Sequence, residues 1–290
     1  QFQMHNTGQV IDGGTSANNV DCNAFEAWNI TLGNSVTVAV LDDGLEAHED
    51  LGGRLIRGFT PANNGNGTPS NNTDSHGMNC AGVIGASDNT LGVSGVAPNV
   101  NFLGVNIFAP GTSNGDIADG ITWAVNNGAD IISNSWGFNS CSFSSADINN
   151  AINNAVNNGR GGDGTIVVFS AGNNGGCITY PANRSNVISV GAIDKRGRLF
   201  TYSARGAQLD LVAPSGMVNY LGDVRTLDRM NGNGRLGGNY ETRFGGTSGA
   251  CPVVAGAAAV VLSINPTLTQ QQVRNILTST ATNMGFSGSR

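Results

Sequence analysis

Val36-Thr37-Val38-Ala39-Val40-Leu41-Asp42-Asp43-Gly44 is a nearly unbroken apolar run, rich in β-branched residues, that stops at two carboxylates and a glycine. A run that does not alternate apolar with polar residues reads as a strand buried on both faces, as in a parallel sheet. The pattern recurs at Val100 to Ile107, Asp130 to Ser135, Thr165 to Ser170 and Val187 to Ala192. Helical stretches lie between and after these runs. Met78 to Ala86 follows Asp74-Ser75-His76-Gly77, and Ile117 to Asn126 is introduced by Ser113 or Asn114. Ser144 to Asn157 has Ser144 as its expected N-cap, with Asp147 three residues on. A buried helix follows Ser248, and a last one runs from about Gln270 to Ala281, where Thr269 and Gln272 suit a capping box. Strands alternating with helices predict the α/β class, with a central, mostly parallel twisted sheet and helices on both faces. No internal repeat or linker divides the chain, so residues 1–290 are read as a single domain. The Gly- and Asn-rich stretches Thr60 to Asn72 and Leu221 to Asn239 read as surface loops.

Sites in such sheets lie beyond the carboxyl ends of the strands. Asp42, Ser135 and Asn173 each follow a strand-like run and are expected at one edge. Gly246-Thr247-Ser248-Gly249-Ala250 opens a long apolar run, which puts Ser248 at the start of a buried helix. Serine is a weak nucleophile that needs a base. No His, Asp or Glu follows Ser248, so the base must come from His5, His48 or His76. His76 opens a helix of its own. An imidazole can take the hydroxyl proton and later return it to a leaving amine. A buried carboxylate fixes the imidazole tautomer, and Asp42 suits that role. The Ser248 N–H, at a helix N-terminus, can face a developing oxyanion, and the Asn173 amide is a second candidate donor. His48, in Glu46-Ala47-His48-Glu49-Asp50, reads as a solvated loop residue.

The formal net charge of −6 argues against nucleic acid or an anionic membrane as a partner. No uninterrupted apolar stretch reaches the roughly 20 residues that span a bilayer, and Val253 to Ile264 reads as a core helix. Five cysteines leave at least one unpaired and form no C-x-x-C, so a zinc site is not expected. Neither His-Glu-x-x-His nor a Gly-x-Gly-x-x-Gly after the first strand occurs. The first residues lack a basic segment followed by an apolar one, so a secreted protein would be in processed form here.

Five motifs in order, Val38 to Gly44, Asp74 to Gly77, Ser135-Trp136-Gly137, Ala171-Gly172-Asn173 and Gly246 to Pro252, resemble those of the subtilases, the subtilisin-like serine endopeptidases. Asn6-Thr7-Gly8-Gln9 recurs in that family as well. Asp, His, Ser is also the subtilisin chain order, unlike that of α/β-hydrolases or chymotrypsin-like enzymes. Asp42-Asp43-Gly44, Ser135-Trp136-Gly137 and Cys80 lean towards the kexin-like branch. The resemblance implies a secreted, monomeric endopeptidase, made with a propeptide, that cuts protein or peptide substrates in extended conformation. Ser135, Trp136 and Gly137 would pair with the substrate on one side and Pro110, Gly111 and Thr112 on the other, as an added strand. Thr179 joins the substrate-binding set, and Asp43 would lie beside the substrate's second side chain before the scissile bond.

The segment Ser87 to Pro98 resembles the subtilase calcium loop. Ca²⁺ takes six to eight oxygens. By resemblance these come from the side chains of Asp50 and Asn89 and the carbonyls of Ser87, Leu91 and Val93. Asp210 is a weaker candidate for a second cation. Cys141 and Cys177 each sit four residues past a pocket-forming segment, and a disulfide between them is expected. Cys80 and Cys251 read as small buried apolar residues. Met78 and Gly249 depart from the family pattern, which has Thr after His-Gly and a larger residue after the serine. The segments Phe138 to Cys141 and Asn174 to Pro181 hold no carboxylate, so strict preference for Lys or Arg before the scissile bond is not expected. A silent binding module on the same fold is disfavoured by the complete Asp-His-Ser set, and a serine esterase would share the acyl-transfer chemistry.

Overall fold

The computed structural model describes residues 1–11, 13–217 and 224–285. A small antiparallel ribbon of β1 (Val10–Ile11) and β2 (Gly14–Thr15) precedes the one-turn α1 (Ala24–Ala27). The chain then runs through β3 (Thr37–Asp42), β4 (Leu55–Phe59), α2 (His76–Gly85), β5 (Asn101–Asn106) and α3 (Asn114–Asn126). Next come β6 (Ile131–Asn134), α4 (Ala146–Asn158), β7 (Ile166–Ser170), β8 (Ile188–Ile193) and β9 (Leu211–Pro214). A hairpin of β10 (Val224–Leu227) and β11 (Tyr240–Phe244) leads into α5 (Gly246–Ile264) and α6 (Gln270–Thr280). Seven strands form one sheet in the order β4-β5-β3-β6-β7-β8-β9, and every pairing is parallel.

Side chains along a strand point alternately to the two faces. Val38 and Val40 accordingly join one core with α2 and α5, while Ala39 and Leu41 join another with α3 and α4. Both faces are therefore apolar, which is why β3 reads as a continuous run. Burying each such valine or leucine contributes roughly 1.5–3 kcal/mol. Helix α5 is long and apolar enough to cross a bilayer, yet most of it is buried in this fold, where it packs as a core helix.

The strands read from sequence match to within a residue or two. Six strands were not foreseen, the two-residue β1 and β2 among them. β4 and β9 are short edge strands, and Arg57 and Gly58 interrupt the apolar character of β4. β10 and β11 fall within or beside the stretch read as a loop, and the connection between them is long enough to hide the hairpin pattern. Residues 221–223 of that stretch lie outside the described residues. Helix α3 is capped by Ser113, in a capping box with Asp116. Helix α4 is capped by Ser145 rather than Ser144, because the Ser145 hydroxyl is the one that accepts from Ile148 N–H. The Thr269–Gln272 capping box of α6 forms as expected.

Candidate active site

β3, β6 and β7 are neighbours in the sheet, so the residues that follow them share one edge. Asp42, the last residue of β3, is almost wholly buried. Its Oδ1 accepts from Asp43 N–H at 2.8 Å, and both carboxylate oxygens face His76 Nδ1, at 2.8 and 2.9 Å. A carboxylate can only accept, so Nδ1 carries the proton and Nε2 is left as the basic nitrogen. Burial opposes charging this imidazole, but Asp42 outweighs it, with a smaller contribution from Cys80, and the His76 pKa stands well above its ordinary value. Cys80, one turn along α2, places Sγ 4.0 Å from Nδ1 and 3.8 Å from Asp42 Oδ2. Burial raises its pKa, so it remains the small buried thiol expected. Cys251 is likewise buried, its thiol pushed up to about 12 by burial. Phe244 of β11 closes another side of the imidazole, edge-on, with ring centres 5.5 Å apart.

The Asp43 carboxylate is held against the start of α2. Its Oδ2 accepts from His76 N–H at 2.9 Å and its Oδ1 from Gly77 N–H at 2.7 Å. It thus caps α2 from outside the helix, a role the sequence reading missed. Burial and the neighbouring Asp42 push its pKa up to about 6. Gly77 is needed for this close approach, since a Cβ there would lie 2.6 Å from the Gly44 carbonyl.

Ser248 is the third residue of α5, where backbone N–H groups lack intrahelical partners. Pro252, four residues on, cannot donate to the Ser248 carbonyl. Ser135 Oγ donates to that carbonyl instead, at 3.0 Å, and Cys80 Sγ lies 3.8 Å from it. The missing helix bond is thereby converted into a tie to the segment after β6. In return, Ser248 Oγ donates to the Ser135 carbonyl at 3.2 Å, and no hydrogen bond joins it to His76. The structure brings Asp42 and His76 into contact, and sets the serine hydroxyl on a competing acceptor. Gly249 also has a local cause: a Cβ there would sit 2.5 Å from Ser215 Oγ, which donates to the Gly246 carbonyl. A proline at Ser+4 was the sequence signal for the first of these contacts.

Asn173 Oδ1 accepts from both Thr247 N–H and Thr247 Oγ1, each at 2.9 Å. This fixes the amide and leaves its NH₂ group with no partner among the described residues. Thr179 is buried between Gly137 and Gly172, where a Cβ on either glycine would press on its hydroxyl. The Trp136 ring packs edge-on against Phe169 and Phe138 in the core, so only the backbone of this residue could meet a substrate. Pro110, Gly111 and Thr112 form a turn after β5, at the same end of the sheet, with Gly111 at φ +88°. Cys141 and Cys177 form a disulfide, with Cα atoms 6.2 Å apart.

Asp50 is fully buried and has no ion-pair partner among the described residues. Its oxygens accept from Asn89 Nδ2 at 2.8 Å and Val93 N–H at 3.1 Å, so the 87–93 loop wraps around it. Among the described residues, nothing donates to the carbonyls of Ser87, Leu91 and Val93. A buried carboxylate with no cationic partner among the described residues, beside a loop that supplies further oxygens, is a donor set of the kind Ca²⁺ takes. Two other expectations fail. His48 is buried rather than solvated: its Nδ1 accepts from Asp50 N–H at 3.0 Å, which leaves Nε2–H to donate to the Asn239 carbonyl at 2.9 Å. Asp210 already has a cation, Arg274 Nη2 at 2.7 Å, and accepts from Ser189 N–H, so it is not a second metal site.

The chain is similar to several known proteases. Alkaline elastase YaB of Bacillus sp. (strain YaB) is 39% identical over 260 residues, covering 87% of this chain and 61% of the relative. A calcium-dependent protease of Trichormus variabilis (strain ATCC 29413 / PCC 7937) is 34% identical over 304 residues, covering 95% of this chain and 45% of the relative. The chain therefore spans about three-fifths of the first relative and under half of the second. The solved structure of a protease from Pseudoalteromonas arctica PAMC 21717 superposes with a TM-score of 0.79 at 29% identity, covering 91% of this chain and 88% of that one. The kexin-like leaning finds no support in these names. The subtilase pattern matches residues 33–290, and with an apolar parallel sheet carrying Asp42, His76 and Ser248 to one edge, the chain belongs to the subtilase family.

Proposed function

We propose that this chain is a secreted serine endopeptidase, made with a propeptide and active as a monomer on extended protein or peptide substrates. The observation that carries this reading is the Asp42–His76 Nδ1 pair, which leaves Nε2 as the basic nitrogen at the sheet edge to which Ser248 is also brought. Ser248 Oγ attacks the substrate carbonyl and His76 Nε2 takes its proton. The same nitrogen then returns the proton to the leaving amine, and water hydrolyses the acyl-enzyme by the reverse sequence. Asp42 holds the tautomer and stabilises the imidazolium. The unpartnered NH₂ of Asn173 and the Ser248 N–H face the oxyanion.

The hydrogen bond from Ser248 Oγ to the Ser135 carbonyl fits the same scheme. An added substrate strand needs that carbonyl as an acceptor for its own N–H. Substrate would then release the hydroxyl to turn towards His76, and catalytic hydrogen bonds are often incomplete before substrate binds. Covalent labelling of Ser248 by a fluorophosphonate, alongside casein hydrolysis, tests the proposal. A protein that neither labels at Ser248 nor cuts casein refutes it.

In this reading the first specificity pocket lies beside the Cys141–Cys177 bridge, whose neighbouring segments Phe138 to Cys141 and Asn174 to Pro181 carry no carboxylate. A peptide panel varied immediately before the scissile bond should be cut after uncharged side chains. Cleavage only after Lys or Arg would overturn this.

Ca²⁺, when bound by Asp50, Asn89 and the carbonyls of Ser87, Leu91 and Val93, supplies a structural crosslink in this reading. Chelation should lower the melting temperature by roughly 5–10 °C, as expected if about 3 kcal/mol of ligand binding is lost from a protein of this size. Calorimetry with and without a chelator, beside metal analysis of the purified protein, checks it. An unchanged transition with no bound calcium would rule the site out.

A further inference from the structure

His76 is the first residue of α2, and a helix N-terminus carries a partial positive charge that opposes an imidazolium there. General-base catalysis requires that imidazolium to form. The helix already has a residue suited to capping it, Ser75 at the N-cap position. The Ser75 hydroxyl is buried and has no hydrogen-bond partner among the described residues. The N–H groups of His76 and Gly77 are instead taken by a carboxylate brought in from the end of β3. Capping alone does not call for a charge, since a serine hydroxyl accepts from such N–H groups about as well as a carboxylate.

We propose that Asp43 is a positioning residue that sets the basicity of His76: its negative charge, held on the His76 and Gly77 N–H groups, cancels the helix-end field and stabilises the imidazolium of the transition state. The inference rests on His76 being the general base proposed above. The charged and titratable groups around Asp43 are few. Asp42 precedes it on β3, and His76 and Cys80 face the pair from α2. Asp74, two residues before His76, turns its carboxylate to Asn71 N–H, and Glu46 is paired with Arg229. Residues 67–69, which pack against Gly44, and Phe244 of β11 are uncharged. Desolvation and the charge on Asp42 push the Asp43 pKa up to about 6, so Asp43 is ionised above that pH and its field on His76 fades as the pH falls through it.

The sign of the expected effect follows. Removing the negative charge destabilises the imidazolium, so the His76 pKa falls and the acid limb of kcat/KM moves to lower pH. Asp43→Asn and Asp43→Ser both keep an acceptor for the helix N–H groups and remove the charge. NMR titration of the His76 imidazole in the full chain carrying Ser248→Ala requires no turnover. In that background both variants should lower the His76 midpoint by roughly 0.5–1 pH unit. With Ser248 restored, kcat on the plateau should fall about three- to tenfold with KM nearly unchanged, the split expected when only transition-state charge is affected. An unmoved midpoint in both variants would reduce Asp43 to a helix cap. Should neither variant fold, the unsubstituted Asp43 chain decides the matter. Its His76 resonance must show a second inflection near pH 6, and a single-step titration overturns the proposal. Failure of Ser248 to label with a fluorophosphonate would strike the protease reading instead, and leaves the NMR result to stand or fall by itself.

Discussion

Ser248→Ala should lower kcat by about 10⁶-fold, a magnitude carried over from the same substitution in subtilisin. The alanine removes the attacking oxygen and the proton that His76 must accept, so no acyl-enzyme can form. In the proposed mechanism what survives is polarisation of the substrate carbonyl by Asn173 and the residue-248 N–H, together with binding along Ser135–Gly137. These features leave a residual acceleration of about 10³–10⁴ over water in such enzymes. The fold should tolerate the change. Among the described residues the hydroxyl makes a single hydrogen bond, to the Ser135 carbonyl, and the more consequential tie, from Ser135 Oγ to the Ser248 carbonyl, involves only the backbone of residue 248. A melting temperature close to that of the unsubstituted chain is expected, because one such bond contributes about 1 kcal/mol. Peptide hydrolysis followed over days, with calorimetry on the same preparation, checks both halves. A variant that keeps a tenth of the activity would show that another group is the nucleophile.

The parallel sheet was legible because β3 and β5 to β8 are buried on both faces and so appear as uninterrupted apolar runs. β4 and β9 sit at the edges, where half the pattern is free to vary, and they were not foreseen. The proposed Asp42-His76-Ser248 set could be named from sequence for a different reason: serine chemistry fixes the residue types, and only three histidines were available. What stayed hidden are contacts whose partners are remote in the chain and ordinary in type. Asp43 bonds the end of a helix that begins 33 residues later, Thr247 clamps Asn173 across 74 residues, and His48 is buried through the Asn239 carbonyl. Glycine 249 looked like a departure from a family pattern until Ser215 was found where its side chain would go. Sequence pattern reports the environment of an element averaged over its length, whereas each of these depends on how two separate loops meet.

Asp42→Asn should lower kcat by about 10⁴-fold at neutral pH, the scale seen when the orienting carboxylate of such a triad becomes an amide. The local hydrogen bonds explain why the substitution acts through the tautomer. Asp42 Oδ1 accepts from Asp43 N–H at 2.8 Å, a bond an asparagine keeps only by leaving its oxygen in place. The new NH₂ then occupies the Oδ2 position, 2.9 Å from His76 Nδ1. Two donors cannot share that contact, and Oδ1, 2.8 Å from Nδ1, is already taken by Asp43 N–H, so the tautomer in which Nδ1 accepts from the new NH₂ is favoured. The neutral imidazole now carries its hydrogen on Nε2, facing the serine, where it cannot act as a base. The charge that outweighed the burial of His76 is lost as well, so the His76 pKa should drop and the acid limb of the pH profile should move to lower pH. Two signatures are therefore expected together: a large fall in kcat with KM little changed, and a displaced acid limb. Stopped-assay rates from pH 5 to 10, with NMR of the imidazole N–H, would read both. A variant with wild-type kcat would show that Asp42 does not orient the base, and one with low kcat but an unmoved His76 titration would show that its charge is not what holds the imidazolium.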